Sequence, residues 1–332
     1  MSRLLLLLAA CTQDAPGPTP PGPLGPASAV LAADMDGDGK DELVVVLAGR
    51  ASWRGHNLTL NGRTLAFTRG DVDGDGKEEV LLATGPGKGF PAAPSRLWKL
   101  NSDGPEVLWE KSGKRRITDI RVSNGEIYLS AFSGGKTLVG GWLRDGKLIQ
   151  VTRTQMGLSQ IPLDEQRVVV GRLYGDTPRS DGDLRIVQAG TEDRILPTLR
   201  GVRALAAADL DQDGHIDLVA SDGWHFKYGT HARARLVLYR GPEFKDRRVL
   251  ADFPEEYTIN RIEVVPTPSG ASPKILATGT QKVHLLYMDK LGWQSRVLAD
   301  TTETDRSIVW SEGPHHFAVV PGNNAQVVAL DG

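Results

Sequence analysis

The chain has 332 residues, of which 40% are hydrophobic and 24% are charged, with 38 Gly and 20 Pro. This composition is typical of a globular, turn-rich protein, and the length is ample for a large core or an array of repeats. The formal net charge of −2 gives no electrostatic basis for binding nucleic acid. A single cysteine excludes a disulfide within the chain, so an exported form would depend on packing and bound ions.

The first residues, MSRLLLLLAAC, predict an export signal. One Arg precedes the apolar run Leu4 to Leu8, which is too short to span a membrane, and small residues follow it. The segment LAAC resembles a bacterial lipobox, which implies cleavage after Ala10 and attachment of lipid, including palmitate, to Cys11. The alternative is an ordinary export signal with an incidental cysteine, although Cys11 is the only cysteine of the chain.

Two features after Cys11 bear on where the protein resides. The next residue is Thr12, whereas the familiar inner-membrane retention signal at that position is Asp, so an outer-membrane location is favoured. Asp14 to Ser28 reads DAPGPTPPGPLGPAS, a Pro/Gly-rich stretch without apolar periodicity that is typical of a semi-rigid tether. We therefore predict a signal peptide over 1–10, a lipidated linker over 11–28 and a folded body over 29–332.

Three acidic loops dominate the body: DMDGDGKDE from Asp34, DVDGDGKEE from Asp71 and DLDQDGHID from Asp209. In each, carboxylates occupy positions 1, 3, 5 and 9, and Gly at position 6 permits a sharp turn. Crowded carboxylates repel one another unless a hard cation lies between them, and Ca²⁺ takes six to eight oxygen ligands in an adaptable geometry. With the backbone carbonyl at position 7 as a further ligand, the predicted calcium ligands are Asp34, Asp36, Asp38, Lys40 and Glu42; Asp71, Asp73, Asp75, Lys77 and Glu79; and Asp209, Asp211, Asp213, His215 and Asp217.

Two other interpretations of these loops were considered. A single loop of this kind is often a solvated acidic turn, but three copies that each lead into apolar residues argue against that. An EF-hand requires a bidentate Glu at position 12 and flanking helices. Position 12 is Val45, Leu82 and Ala220, and the flanking segments are short and β-branched, so the EF-hand interpretation fails.

The pattern DxDxDGxxD/E followed by a strand resembles the FG-GAP/VCBS repeats of integrin-α-like β-propellers and of many bacterial surface proteins. The resemblance covers the three acidic loops and implies a propeller in which calcium loops join the first and second strands of certain blades. The other blades are predicted from spacing.

Hairpin-like segments recur along the body. Segments with two short strands around a polar turn begin near Ile117, Ser159, Asn260 and Ser307, in addition to the three acidic loops. Seven such starts over residues 29 to 332 give about 43 residues a unit, near the length of a four-stranded blade. We therefore predict an all-β, seven-bladed β-propeller, with a six- or eight-bladed ring or a β-sandwich as alternatives. No fourth strand for the last blade is evident in AQVVALDG, which leaves the closure of the ring open.

The sequence indicates a binding role more readily than a catalytic one. It contains no HExxH, GxSxG or CxxC motif and no glycine loop for phosphate. The loop Ser221 to Ala234 carries aromatic and basic side chains typical of recognition surfaces, and its candidate ligand-binding residues are Trp224, His225, Lys227, Tyr228 and Arg233. The alternative is that these aromatic residues seal neighbouring blades.

The predicted function is a monomeric, lipid-anchored and calcium-stabilised scaffold, at the cell surface or in the periplasm, for carbohydrate or protein. The alternative function is a polysaccharide lyase or hydrolase on a calcium-binding propeller, since a fold alone does not decide function.

Overall fold

A computed structural model describes residues 29–330, apart from residues 48, 88–89, 113–115, 133–136, 156, 174–181, 199–200, 224–233, 268–269, 272, 301–307, 313–314 and 322–324. Every regular element of this part of the chain is a β-strand, which confirms the all-β class. None of the described segments is a helix with the length and apolar character needed to cross a membrane.

The strands form seven antiparallel sheets, and within each sheet they follow chain order. The first four sheets are β1 (Ala29–Ala33), β2 (Glu42–Leu47), β3 (Arg50–Trp53) and β4 (His56–Thr59); β5 (Arg63–Gly70), β6 (Glu79–Gly85), β7 (Ser95–Asn101) and β8 (Gly104–Lys111); β9 (Arg116–Ser123), β10 (Glu126–Phe132), β11 (Thr137–Arg144) and β12 (Lys147–Gln155); and β13 (Gly157–Pro162), β14 (Arg167–Arg172), β15 (Leu184–Gln188) and β16 (Arg194–Leu196).

The last three sheets are β17 (Leu205–Ala208), β18 (Asp217–Asp222), β19 (Ala234–Tyr239) and β20 (Arg247–Phe253); β21 (Ile259–Val265), β22 (Lys274–Gly279), β23 (Lys282–Asp289) and β24 (Gly292–Asp300); and β25 (Ile308–Glu312), β26 (His315–Val320) and β27 (Gln326–Ala329). The seventh sheet has three strands among the described residues, and the other six have four. The predicted seven-bladed β-propeller is thus confirmed, and we call the sheets blades 1 to 7.

Burial falls from the middle of each blade to its outer edge. In blades 2 to 7 the second strands are mostly buried, because a neighbouring blade covers each of their faces, and β6 and β18 are buried at every residue. In blade 1, β2 is only partly buried. The fourth strands β8, β12, β20 and β24 are largely exposed. This gradient explains why a continuous apolar run such as EVLLA marks a second strand in the sequence.

The apolar core is divided among the interfaces between blades. Separate clusters join blades 2 and 3, 3 and 4, 4 and 5, 5 and 6, and 6 and 7. One further cluster includes Val30 of blade 1, Leu82 of blade 2, and Ile308 and Val319 of blade 7. Blade 1 therefore packs against both of its neighbours, and this packing closes the ring.

Polar contacts at Asp41 reinforce that closure. The Asp41 amide donates to the Ser311 carbonyl at 2.9 Å, and the Ser311 amide donates to Asp41 Oδ2 at 2.6 Å. Trp310 Nε1 donates to the Asp41 carbonyl at 2.9 Å, and Arg69 Nη1 of blade 2 donates to Asp41 Oδ2 at 2.7 Å. Asp41 thus connects blades 7, 1 and 2. Closure of the ring, which could not be predicted from the sequence, is achieved in the described residues by packing and hydrogen bonds between whole blades.

Candidate functional site

The three acidic loops lie between the first and second strands of blades 1, 2 and 5, as the resemblance implied for such loops. In each loop, one oxygen from the carboxylates at positions 1, 3 and 9 lies within 4.8 Å of the other two. The three groups are Asp34, Asp36 and Glu42; Asp71, Asp73 and Glu79; and Asp209, Asp211 and Asp217. Their convergence follows from the turn that each loop makes before its second strand.

Backbone amides hold the position 1 carboxylate in place. Asp34 accepts hydrogen bonds from the amides of Gly37 at 2.8 Å, Asp38 at 3.0 Å and Gly39 at 2.9 Å. Asp71 and Asp209 accept equivalent bonds from their own loops. The position 6 glycine has φ of 85° in all three loops, a conformation that disfavours a side chain. The three loops therefore share one backbone geometry.

The position 9 carboxylate turns inward and anchors the loop to its blade. Glu79 is 3% exposed and Asp217 is 1% exposed, whereas Glu42 is half-buried. Each accepts a hydrogen bond from the amide at position 2 of its loop, at 2.8 to 3.1 Å. Burial raises the pKa of Glu42, Glu79 and Asp217, and the carboxylate at position 3 raises it further. These acids are therefore held close to other negative charges in a partly desolvated place.

Positions 5 and 7 have a different arrangement. The carboxylates of Asp38, Asp75 and Asp213 lie outside the groups that converge within 4.8 Å. Each accepts a hydrogen bond from the amide at position 7, at 2.8 to 2.9 Å, and those amides belong to Lys40, Lys77 and His215. This bond fixes the backbone of the residue whose carbonyl was predicted as a ligand.

A basic side chain from the third strand, or from the residue just after it, pairs with position 3 of each loop. Arg54 Nη1 lies 2.5 Å from Asp36 and 2.9 Å from Glu42, and its hydrogen bond lowers the pKa of Asp36. Lys99 Nζ lies 3.4 Å from Asp73 Oδ2. Arg54 and Lys99 were missed in the sequence because they lie 18 and 26 residues from Asp36 and Asp73.

The third loop follows the same plan with one substitution. Arg240 Nε lies 3.5 Å from Asp211. Position 4 is Gln212, with φ of 60°, where the other loops have Gly. Gln212 Nε2 donates to the Ala271 carbonyl at 3.1 Å, and its Oε1 accepts from the Gly270 amide at 2.8 Å. Gln212 therefore links this loop of blade 5 to the β21–β22 connection of blade 6.

The donor chemistry of the acidic loops fits calcium. The converging side-chain atoms are all carboxylate oxygens, which are hard ligands preferred by Ca²⁺ and Mg²⁺ rather than by the softer transition metals. Ca²⁺ tolerates the irregular distances of such a loop better than Mg²⁺, which requires a near-octahedral arrangement. The residues at positions 1, 3 and 9 would hold the ion, with positions 5 and 7 able to complete the set.

A second polar site lies on the axis of the ring. The first strands of the blades enclose a cavity of about 620 Å³, which we call the axial channel. Its lining includes Arg69, Arg116, Arg121, Arg203 and Arg261, together with the carboxylates of Asp119 and Glu263. This site could not be predicted from the sequence, because its arginines come from distant parts of the chain and belong to no motif.

The remaining predicted residues lie outside the described part of the chain. They are the lipidation residue Cys11 and the candidate ligand-binding residues Trp224, His225, Lys227, Tyr228 and Arg233. The structure describes only the strands that flank this loop, β18 and β19.

The chain matches no model of a known protein family and no curated protein sequence. Function must therefore be inferred from the geometry of the sites themselves.

Proposed function

We propose that this chain is an exported, lipid-anchored β-propeller that binds Ca²⁺ in three acidic loops and acts as a scaffold for a carbohydrate or protein ligand. The body would be residues 29–332, tethered through residues 11–28 to a lipid on Cys11 after removal of residues 1–10. The lipobox-like LAAC segment supports the lipid anchor, and Thr12 after Cys11 supports a location on the outer membrane, facing the periplasm or the surface.

The observation that carries the proposal is the repeated convergence of three carboxylates at 4.8 Å or less. One such cluster is common on protein surfaces without an ion. Here three loops, separated by up to 175 residues, share the same glycine conformation, the same amide bonds to position 1 and the same inward carboxylate at position 9. A common structural demand on all three loops accounts for this agreement.

Bound Ca²⁺ would supply positive charge among the carboxylates and would join the ends of the first and second strands. Its role would be structural, since each loop lies at a blade connection. Extracellular calcium modules bind at about 10⁻⁴ to 10⁻³ M, a range that suits an exported protein.

The first experiment is thermal unfolding with and without a calcium chelator. We expect the chelator to lower Tm and added calcium, but not an equal concentration of magnesium, to restore it. At a free calcium concentration of 100 times Kd, each occupied site raises the free energy of unfolding by about 2.7 kcal/mol. A melting curve that is the same in chelator and in calcium would remove calcium from the proposal.

The axial channel bears on the alternative of a lyase or hydrolase. Its described lining contains no His, Tyr or Lys, and its two carboxylates, Asp119 and Glu263, each pair with an arginine. Acid–base catalysis on a sugar needs a group poised to exchange a proton, so this lining supports binding over catalysis.

The carbohydrate ligand of the proposed scaffold is tested by a glycan array with and without calcium, and a protein ligand by pull-down from an outer-membrane extract. Failure of both screens would contradict the scaffold role.

A further inference from the structure

The axial channel concentrates positive charge in a protein whose formal net charge is −2. Its lining contains five guanidinium groups and two carboxylates. Two further carboxylates, Asp41 and Glu78, contact Arg69 from outside the lining, so the guanidinium groups still outnumber the carboxylates by one. The arginines come from four blades: Arg69 from blade 2, Arg116 and Arg121 from blade 3, Arg203 from the segment before β17 of blade 5, and Arg261 from blade 6. Because they surround the axis, their fields add inside the channel.

Two of these arginines contact residues of other blades. The Arg261 guanidinium lies 4.6 Å from the centre of the Phe67 ring in blade 2. Arg121 Nη2 donates to the Leu205 carbonyl of blade 5 at 3.1 Å and lies 3.5 Å from Ser159 Oγ of blade 4. The guanidinium groups therefore lie within the channel, where a ligand would meet them.

Their acidic partners leave donors unused. Arg121 donates through Nε and Nη2 to Asp119, and Arg261 pairs through Nε and Nη2 with Glu263. The Nη1 groups of both arginines have no hydrogen-bond partner in the described part of the chain. A guanidinium has five N–H donors in a planar fork, so each can bind a further anion while it keeps its present partner.

Arg116 is the most available of the set. It begins β9, is exposed, and has no ion-pair or hydrogen-bond partner for its side chain among the residues that the structure describes. Arg69, by contrast, is held by Asp41 and Glu78. Burial alone would lower the pKa of Arg69, but Asp41, Glu78 and Glu263 together raise it, so the group stays charged beside the channel.

The rest of the lining is mixed. Its uncharged polar residues are Thr68, Thr118, Ser159 and Asn260, and its apolar residues include Leu31, Phe67, Ile120, Ile262 and Val309. Pockets of about 300 to 1,000 Å³ that combine apolar walls with a few charged groups are typical of small-molecule sites. An apolar wall favours a ligand with a carbon body, and separated arginines favour more than one acid group. We propose that the axial channel binds a small organic anion with two or more acid groups on an aliphatic body.

This inference goes beyond the proposed function and is independent of it, since it requires neither calcium in the acidic loops nor a ligand on the outer loops. The test is calorimetric titration of the full chain in calcium-containing buffer with succinate, a probe that has two carboxylates on an aliphatic body. Succinamide, the neutral analogue of the same shape, is the matched control ligand. We expect saturable binding of succinate and none of succinamide.

Variants then place the binding in the channel. Arg116→Gln should weaken succinate binding by at least about tenfold, because a charged hydrogen bond is lost, and Arg116→Lys should recover most of it. Arg261→Gln tests the opposite wall with the same expectation. Arg144→Gln is the control, since Arg144 pairs with Glu126 at 2.7 Å away from the channel, and it should bind as the unmodified chain does.

The inference is overturned if the unmodified chain gives no saturable heat, if succinamide binds equally well, or if Arg144→Gln weakens binding as much as both channel variants. A calcium titration that fails while succinate binds would reject the proposed function and leave this inference standing.

Discussion

At the scale of single residues, the acidic loops combine attraction and repulsion within a few ångströms. The position 1 carboxylate gains amide hydrogen bonds, while positions 3 and 9 place further negative charge within 4.8 Å of it. The basic residue beside position 3 offsets part of this repulsion, but a pair that exposed is worth little. A divalent cation would offset far more, because it touches several oxygens at once.

The first prediction concerns Asp211→Asn. In chelator this change should leave Tm the same or raise it, because it removes like-charge repulsion and only an exposed contact with Arg240 at 3.5 Å. In saturating calcium it should lower stability by about 2 to 3 kcal/mol through loss of the ion. The measurement is thermal unfolding of the variant and the unmodified chain in both buffers.

Asp246→Asn is the matched control, because Asp246 contacts the same Arg240 at 3.7 Å but lies outside the loop. Its effect should be equal in both buffers. An Asp211→Asn effect that is likewise independent of calcium would contradict a metal role for the loop.

The sequence is most informative at this scale. The acids of each loop lie within nine consecutive residues, so their convergence and the sharp turn at the position 6 glycine could be predicted from their spacing. The partners Arg54, Lys99 and Arg240 could not, because strand pairing brings them to the loop.

At the scale of elements, the blades are joined by connections that carry buried polar groups. Glu256, between β20 and β21, is 1% exposed. Glu256 Oε2 accepts hydrogen bonds from the Thr280 amide at 2.6 Å, the Thr280 hydroxyl at 2.8 Å and the Gln281 amide at 2.9 Å. Glu256 Oε1 accepts a hydrogen bond from the Lys282 amide at 2.9 Å and lies 3.2 Å from His284 Nε2. One carboxylate thus binds the whole β22–β23 turn of blade 6 to the end of blade 5.

The second prediction follows from this contact. Burial would raise the pKa of Glu256, but the hydrogen bonds from His284, Thr280 and the turn amides outweigh it and lower the pKa below the ordinary value of 4.5. A depressed pKa in the folded state stabilises the protein above pH 4.5, and that stability is lost as pH falls through the folded value. Glu256→Gln should therefore destabilise by about 2 to 4 kcal/mol at pH 7, with the difference from the unmodified chain shrinking below pH 4.5.

Urea unfolding in chelator at several pH values measures this difference apart from any bound calcium. The neighbouring exposed residue provides the control, Glu255→Gln, which should be close to neutral at every pH. A Glu256→Gln penalty that stays constant down to pH 3 would contradict the linkage.

The hairpin after Glu256 was predicted from the two short strands around a polar turn that begin near Asn260, and the strand pair β21–β22 confirms it. Glu256 itself gives no local signal, since it is one of two adjacent acids in a loop. The register shifts between the third and fourth strands of blades 2, 3, 5 and 6 are likewise not visible in the residue pattern.

At the scale of the whole molecule, the ring of seven blades is closed where blade 1 meets blades 7 and 2. An apolar cluster is shared by blades 7, 1 and 2, and Asp41 supplies directional hydrogen bonds to both neighbours of blade 1. Asp41 is position 8 of an acidic loop, next to the predicted ligand Glu42. Ring closure and the first candidate calcium centre therefore occupy the same connection.

The third prediction is that Asp41→Asn weakens closure. Its side chain is 5% exposed and pairs with Arg69, which is 22% exposed, so the change leaves a largely buried guanidinium short of a partner. We expect a loss of about 3 kcal/mol in the free energy of unfolding, and faster amide exchange in β1 and β25. Hydrogen exchange with mass spectrometry measures both.

Glu78→Gln is the control for Asp41→Asn, because Glu78 contacts the same Arg69 at 3.6 Å and is 37% exposed. Glu78→Gln should lower the free energy of unfolding by less than about 1 kcal/mol and leave amide exchange in β25 unchanged. Equal effects of the two variants would argue against Asp41 as a closing contact.

The number of blades could be predicted because the repeat period and hairpin starts are visible along the chain. Closure could not, since the contacts at Ser311 and Trp310 join residues about 270 positions from Asp41. The axial channel was missed for the same reason.

The most direct test of the central claim is the number of calcium ions bound by each chain, measured by calorimetric titration of chelator-stripped protein. Three saturable sites for each chain are expected from the three converging carboxylate groups, with one site lost in each of Asp34→Asn, Asp71→Asn and Asp209→Asn. No saturable uptake at millimolar calcium, or uptake that persists when all three residues are replaced together, would contradict the account.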